Sequence, residues 1–278
     1  MTTYMGPNLG AMVPVECLTD LSVTPSTGVA QATNLAGARR IYVDPPESPA
    51  LRVWSGSIDI TDPEAMATLV ELESMRTSLR MITDSAAVNN LFPPAAAIGP
   101  TGWLPSASTL TQGGPQSLQS PSRFTASSVA ITSTTATVFS PLFPVIPGVR
   151  VSGSIHVLAV PGESGRVALD WMAADAGQGQ GALSTPDSDS TTQTGPGAPY
   201  LTVGAIPPLG VYAARLRLTG VARFARPAVT WTDQVQPWRP GEGAECVHLS
   251  PLTQSVITAW SDGYSHSSSQ YTVTEATA

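Results

Sequence analysis

Apolar positions at spacings of three and four occur over one long stretch of the chain and give way elsewhere to short alternating runs. The helical stretch is Thr61–Pro94, where Ala65, Leu69, Leu72, Met75 and Leu79 fall on one face, with Glu64, Thr68, Glu71 and Arg76 mainly opposite. Thr61 or Asp62 supplies an N-cap, Pro63 needs no donor in a first turn, and Glu64 suits the positive end of the dipole. The spacing predicts a helix over 62–80, its apolar face meant for a sheet or another subunit. Turn formers Asp84, Asn89 and Asn90 follow, and Pro93-Pro94 is expected to bar further helix.

Before the helix, extended pieces are predicted at 12–18, 21–24, 38–43 and 51–60, with Asp44–Pro49 as a stiff turn. The helix would cover one face of this small sheet. After it, 95–128 is a linker rich in Ala, Gly, Pro, Ser, Thr and Gln, with Trp103, Leu104 and Phe124 as its large apolar anchors. Strand signals return at 129–139, 149–160, 166–172, 200–206, 211–218 and 228–231. Val149, Val151, Gly153, Ile155, Val157 and Ala159 alternate with Arg150, Ser152, Ser154, His156 and Leu158. Short strands punctuated by Pro147-Gly148, Pro161-Gly162 and Leu209-Gly210 predict a jelly-roll β-sandwich. The polar stretch 173–199 reads as a surface or binding loop.

Past Trp238-Arg239-Pro240-Gly241 the pattern changes, with short pieces at 246–249, 255–260 and 270–275. These are expected to return to the first domain and complete its sheet. The expected organisation is therefore mostly β. A domain of residues 1–95 plus 240–278, a small sheet with the helix, carries an inserted β-sandwich of residues 96–239.

Composition supports this fold class. Of 278 residues, 42% are apolar, enough for a packed core. Only 12% are charged, and all thirteen basic residues are arginine. Glycine and proline fill 24 and 26 positions, which favours strands joined by turns. A net charge of −7 argues against nucleic-acid binding, the arginines being scattered apart from Arg39-Arg40 and the set Arg215, Arg217, Arg223 and Arg226. Arginine-only usage resembles the coding bias of high-GC, actinobacterial genomes. Cys17 and Cys246 read as buried free thiols. The first residues lack a basic start with an apolar run, and no apolar run reaches the roughly 18 residues of a membrane span, so neither a standard secretion signal nor membrane insertion is expected.

Catalytic constellations are scarce. His156, His248 and His266 have no zinc-ligand spacing, and no nucleophile elbow or lysine-ended phosphate loop is present. Glu163, Asp170 and Asp175 read as solvated carboxylates, not a glycosidase pair. Asp187 and Asp189 fall short of the oxygens calcium takes. No enzyme, metal or cofactor is expected.

In order of features the chain resembles the distal-tail-like minor tail proteins of actinobacterial siphophages. The resemblance rests on the N-terminal strand set, Met81-Ile82-Thr83-Asp84 to Asn89-Asn90-Leu91, a sandwich that closes on the segment Ala225–Thr232, and the end Tyr271–Glu275. It implies a ring- or belt-forming domain with a galactose-binding-like or carbohydrate-binding sandwich attached. It further implies a tail location in the virion after assembly in the host cytoplasm, and partners among the tail tube, tape measure, hub and further copies of the chain. A capsid decoration protein and a free carbohydrate-binding module are the alternatives. Host cell-wall glycan is the expected ligand. Sugars stack on exposed aromatic rings; Tyr212, Trp238 and Tyr200 are the candidates, while Trp171 and Trp231 are expected in the core. For self-association the candidates are Leu69, Leu72 and Leu79.

Overall fold

The computed structural model describes residues 3–7, 10–15, 22–26, 29–33, 39–43, 51–60, 63–75, 77–106, 108–113, 128–131, 137–160, 163–173, 191–193, 200–250, 253–259 and 265–276. Along the chain come β1 (Thr3–Pro7), β2 (Val13–Val15), β3 (Ser22–Ser26), β4 (Val29–Thr33), β5 (Arg39–Val43) and β6 (Leu51–Ile60). Helix α1 (Pro63–Ser74) follows, then β7 (Leu79–Ile82) and two short helices, α2 (Asp84–Asn89) and α3 (Pro94–Ile98). Eleven strands come next: β8 (Leu104–Pro105), β9 (Leu110–Gly113), β10 (Ser128–Ile131), β11 (Val138–Phe139), β12 (Phe143–Pro144), β13 (Val151–Ala159), β14 (Gly165–Ala173), β15 (Thr191–Gln193), β16 (Tyr200–Ala205), β17 (Val211–Thr219) and β18 (Val221–Thr230). The chain closes with β19 (Ala244–Leu249), β20 (Thr253–Ala259) and β21 (Ser265–Glu275). The molecule is mostly β, as the composition requires.

Two compact units form. One comprises Met1–Gly6, Val13–Met81 and Ala244–Ala278; the other comprises Pro7–Met12 and Ile82–Gly243. The first holds an eight-stranded sheet in the order β2-β1-β7-β19-β21-β6-β3, with β20 paired to β21, and a separate β4–β5 ribbon. Leu69 and Leu72 of α1 pack with Met5, Val15, Trp54, Leu79, Met81, Ala244, Val247, Tyr271 and Val273, so strands from both ends of the chain share one core. Arg52 closes the edge of that core by a bidentate pair to Glu275, at 2.9 Å from Nε to Oε2 and 2.7 Å from Nη2 to Oε1.

The helix ends sooner than 62–80 predicts, and Thr61 and Asp62 lie outside the described residues. Leu79 lies on β7, where Leu79 pairs with Val247 and Met81 with Ala244. Met75 and Leu79 satisfy the helical period, but Leu79 and Met81 also satisfy a strand period, and pairing with β19 decides between them. Thr83 Oγ1 then accepts from Ala86 N at 3.2 Å and caps α2 where turns were expected. Pro94 opens α3 instead of barring it, because a proline in the first turn loses no intrahelical bond.

The second unit is a β-sandwich. One sheet runs β16-β13-β18-β10-β9, and the other runs β15-β14-β17-β11-β8 with β12 paired to β17. Val151, Ile155 and Val157 of β13 point inward, as do Leu169 and Trp171 of β14 and Leu216 and Leu218 of β17. A Cβ on Gly153 would meet Val203 and Leu216, which fixes the inner side of β13. Phe92, Trp103, Phe143 and Phe224 form an aromatic cluster, with Trp103 and Phe224 centroids 4.4 Å apart. The Trp103 indole donates to Ala96 O at 3.0 Å. These contacts place Ile82–Ile98 in the sandwich unit, whereas the sequence divided the chain at 95/96.

Candidate functional site

Because Val151, Gly153, Ile155 and Val157 face inward, His156 faces outward on β13. It stands opposite Tyr200 of β16 on one side and Ala225 of β18 on the other. The His156 and Tyr200 rings lie 4.8 Å apart, and Tyr200 keeps 40% of its surface exposed. Between the pairs His156–Ala225 and Ser154–Ala228 the register slips, so Arg226 and Pro227 together face Ile155. This is a β-bulge, and Arg226 adopts φ 53° there, in the left-handed region that residues with a Cβ rarely take.

The bulge is held from outside the sheet. Pro227 O accepts from Asn90 Nδ2 at 3.0 Å and from Trp238 Nε1 at 3.2 Å. The Arg226 guanidinium carbon lies 5.4 Å from the Trp238 ring centroid, within cation–π range. Tyr200 with His156, and Arg226 with Trp238, are thus two neighbouring pairs in a row that spans β16 to β18, about 10 Å by two interstrand spacings. Burial, and then the nearby Arg226 charge, hold the His156 imidazole below its usual pKa. A neutral imidazole both donates and accepts hydrogen bonds.

Of the aromatic residues singled out in the sequence, Tyr200 and Trp238 belong to this row. Tyr212 lies on β17 of the other sheet, half-buried between Val211 and Ala213. Trp171 is in the core with 1% exposure, and Trp231 is half-buried, its indole donating to Pro144 O at 3.1 Å. His156 and Arg226 were not recognised as site residues. The signal for Arg226 was the proline after it, since proline inside a strand marks a bulge.

The arginine set 215–226 is divided between the sheets. Arg215 and Arg217 face outward on β17, where Arg215 Nε lies 3.6 Å from Asp170 Oδ2 and Arg217 Nε 3.2 Å from Asp170 Oδ1. Arg215 also stacks on Phe139 at 3.9 Å. Burial pushes the Asp170 carboxyl up against the opposing pull of Arg217 and Arg215. Asp170 is a buried, paired carboxylate and not the solvated one expected. Glu163 sits exposed in the turn before β14, and Asp175, Asp187 and Asp189 lie outside the described residues.

Leu69, Leu72 and Leu79 have 3%, 2% and 2% exposure in the core of the first unit, which leaves them no surface for self-association. The periodicity located a buried stripe, and its occupant is the chain's own sheet. Cys246 is a free thiol and half-buried, not buried; Cys17 lies outside the described residues. Among the described residues no group of three His, Cys, Asp or Glu side chains is placed to hold a metal ion, and no helix is long and apolar enough to cross a membrane.

No protein family matches the chain, and no curated protein matches it either. Solved structures with partial likeness include the enzymatically active domain of bacteriophage CBA120 tailspike protein 4, at 13% identity and TM-score 0.37, covering 51% of this chain and 21% of the tailspike domain. A carbohydrate-binding module of the β-sandwich superfamily matches at 10% identity and TM-score 0.30, covering 77% of this chain and 97% of the module. The Dit protein of phage SPP1, described as part of a hub adsorption apparatus, matches at 8% identity and TM-score 0.24, with 82% and 99% covered. The chain spans about a fifth of the tailspike domain.

Proposed function

We propose that the chain is a structural component of a phage tail tip: its first unit assembles as a ring or collar, and its sandwich binds host-surface glycan. The observation that carries this reading is the insertion. A glycan-facing sandwich leaves from and returns to neighbouring strands of a separate sheet, at Met81 and Ala244, so presentation and assembly are assigned to different units.

Ring contact belongs to sheet edges on this reading, since the helix leucines are buried. At the ends of the described sheet, β2 and β3 contain Pro14 and Pro25, which lack the N–H that strand pairing needs. Strand β20 pairs with β21 alone and contains no proline, so its free edge is a pairing-competent edge of this sheet among the described strands. Tail-tube, tape-measure and hub proteins are the proposed neighbours. The proposed role is binding and assembly without catalysis, in the virion tail.

Light scattering on the purified protein, with electron cryo-microscopy of the particle, tests the assembly role. The expected outcome is a discrete oligomer in solution or a closed ring in the map. A monomer in solution that also occurs as a single copy in the particle would sink it.

A further inference from the structure

The class of glycan follows from the charge and strain of the outer sheet face, an inference that rests on the glycan reading above. Strands β16, β13 and β18 (YLTVGA, VSGSIHVLA and VARFARPAVT) contain no carboxylate, although the protein carries net charge −7. Arg223 faces outward opposite Leu158, two pairs along from His156. Arg150 donates to Gly204 O at 3.4 Å, and Gly204 shares the outer face with Tyr200 and Thr202. Arg223 therefore borders the row, Arg226 belongs to it and Arg150 lies farther along the same face of an otherwise acidic molecule, and the field over this face favours an anion.

Arg226 is the most informative of them. At φ 53° a glycine would sit without strain, whereas a residue with a Cβ is held there only by its surroundings. Those surroundings are present: Asn90 and Trp238 both bond the Pro227 carbonyl, and the Trp238 ring underlies the guanidinium. The bulge holds a planar, permanently charged donor fork on β18, two strands from the exposed Tyr200 ring on β16. Such a fork matches a carboxylate or phosphate, and a tyrosine face matches a sugar ring.

We propose that this row binds an anionic glycan, one whose sugars carry carboxylates or phosphodiesters. Tyr200 takes the sugar face, Arg226 takes the anion, and Trp238 is a positioning residue that holds Arg226 in place. Uronate polymers and teichoic-type phosphate polymers share this chemistry.

Isothermal titration of the full chain against four probes at fixed ionic strength tests it: polygalacturonate, its carboxyl-reduced neutral form, a glycerol-phosphate teichoic polymer, and polyglutamate. An acidic glycan should bind at least about tenfold more tightly than the neutral form, the size of one charge-assisted hydrogen bond. Arg226→Gly should lose that preference without a lower melting temperature, because glycine takes this backbone freely; Tyr200→Ala should weaken acidic and neutral forms alike. Preference for uronate or for phosphodiester identifies the source, and either supports the proposal. Equal binding of the acidic and neutral forms overturns the anionic class and leaves the glycan reading standing, whereas binding of neither ends both. Polyglutamate bound as tightly as the acidic glycans, or an Arg226→Gly protein that keeps the preference, also overturns it.

Discussion

Asn90 and Tyr271 are both buried polar side chains, and they differ completely in hydrogen bonding. Asn90 Oδ1 accepts from Phe92 N and Val229 N, and its Nδ2 donates to Pro227 O and Arg239 O, all between 3.0 and 3.2 Å. Removing it leaves buried backbone groups without partners, at about 1–3 kcal/mol each before relaxation. Asn90→Ala is expected to cost at least about 3 kcal/mol, read as a lower urea midpoint. Tyr271 Oη has no hydrogen-bond partner among the described residues, and burial pushes its phenol up to about 12. Tyr271→Phe removes an unsatisfied hydroxyl and is expected to gain about 1 kcal/mol with an unchanged denaturant slope; a loss would mean the hydroxyl has a partner. His156 gives a pH dependence. Its pKa is lowered on folding, chiefly by burial and then by Arg226, with the Tyr200 ring its other close neighbour. The unfolded chain therefore takes up the proton first: the stability His156 contributes is whole above about pH 6.5 and is lost as pH falls below it. His156→Gln should flatten the stability-versus-pH curve in that window while leaving the plateau above pH 7 nearly level.

At the scale of elements, periodicity located the buried side of α1 but not what covers it. Leu69 and Leu72 carry a stripe that suits a subunit interface as well as a core, and strands far away in sequence settle the matter. Leu72→Ala is accordingly expected to cost about 3 kcal/mol of stability with no change in the mass seen by light scattering. A dissociated but equally stable variant would restore the interface role. Long alternating runs such as 149–160 and 211–218 were legible because one face of each is buried. Strand β18 was recognised only at 228–231, since Arg223, Arg226 and Pro227 interrupt its pattern where the bulge forms. Thus the Tyr200 and Trp238 ends of the row were readable from aromatic residues near turns. Its centre was not, because cross-strand register brings His156 beside Ala225 and no local pattern encodes register between distant strands. Backbone proximity was equally hidden at Gly243, where an added Cβ would collide with the Leu91 carbonyl and the backbone N–H donates to Phe92 O at 3.1 Å. Gly243→Ala should destabilise the sandwich unit more than Gly148→Ala, whose added Cβ would meet nothing and whose cost is only that of a Cβ at φ 83°.

For the whole molecule, the insertion has a sharp consequence for where the chain can be cut. Met81 and Ala244 are paired on antiparallel strands β7 and β19, so their Cα atoms stand about 5 Å apart, close enough for a two-residue turn. Replacing 82–243 by Asn-Gly is expected to leave the eight-stranded sheet folded, and the excised segment 82–243 should fold by itself. The division drawn from composition, 96–239, makes a different fragment. It lacks Phe92, which is fully buried and lies 5.9 and 5.7 Å from Trp103 and Phe143. It also lacks Asn90, which bonds both Val229 N and the bulge carbonyl of Pro227. Deleting one buried aromatic side chain costs about 3–5 kcal/mol, comparable with the whole stability of a small domain. Fragment 82–243 should therefore show one cooperative denaturant transition and retain glycan binding, while 96–239 should be aggregated or lack a transition. Equal stability of the two fragments would show that residues 82–95 are dispensable to the sandwich.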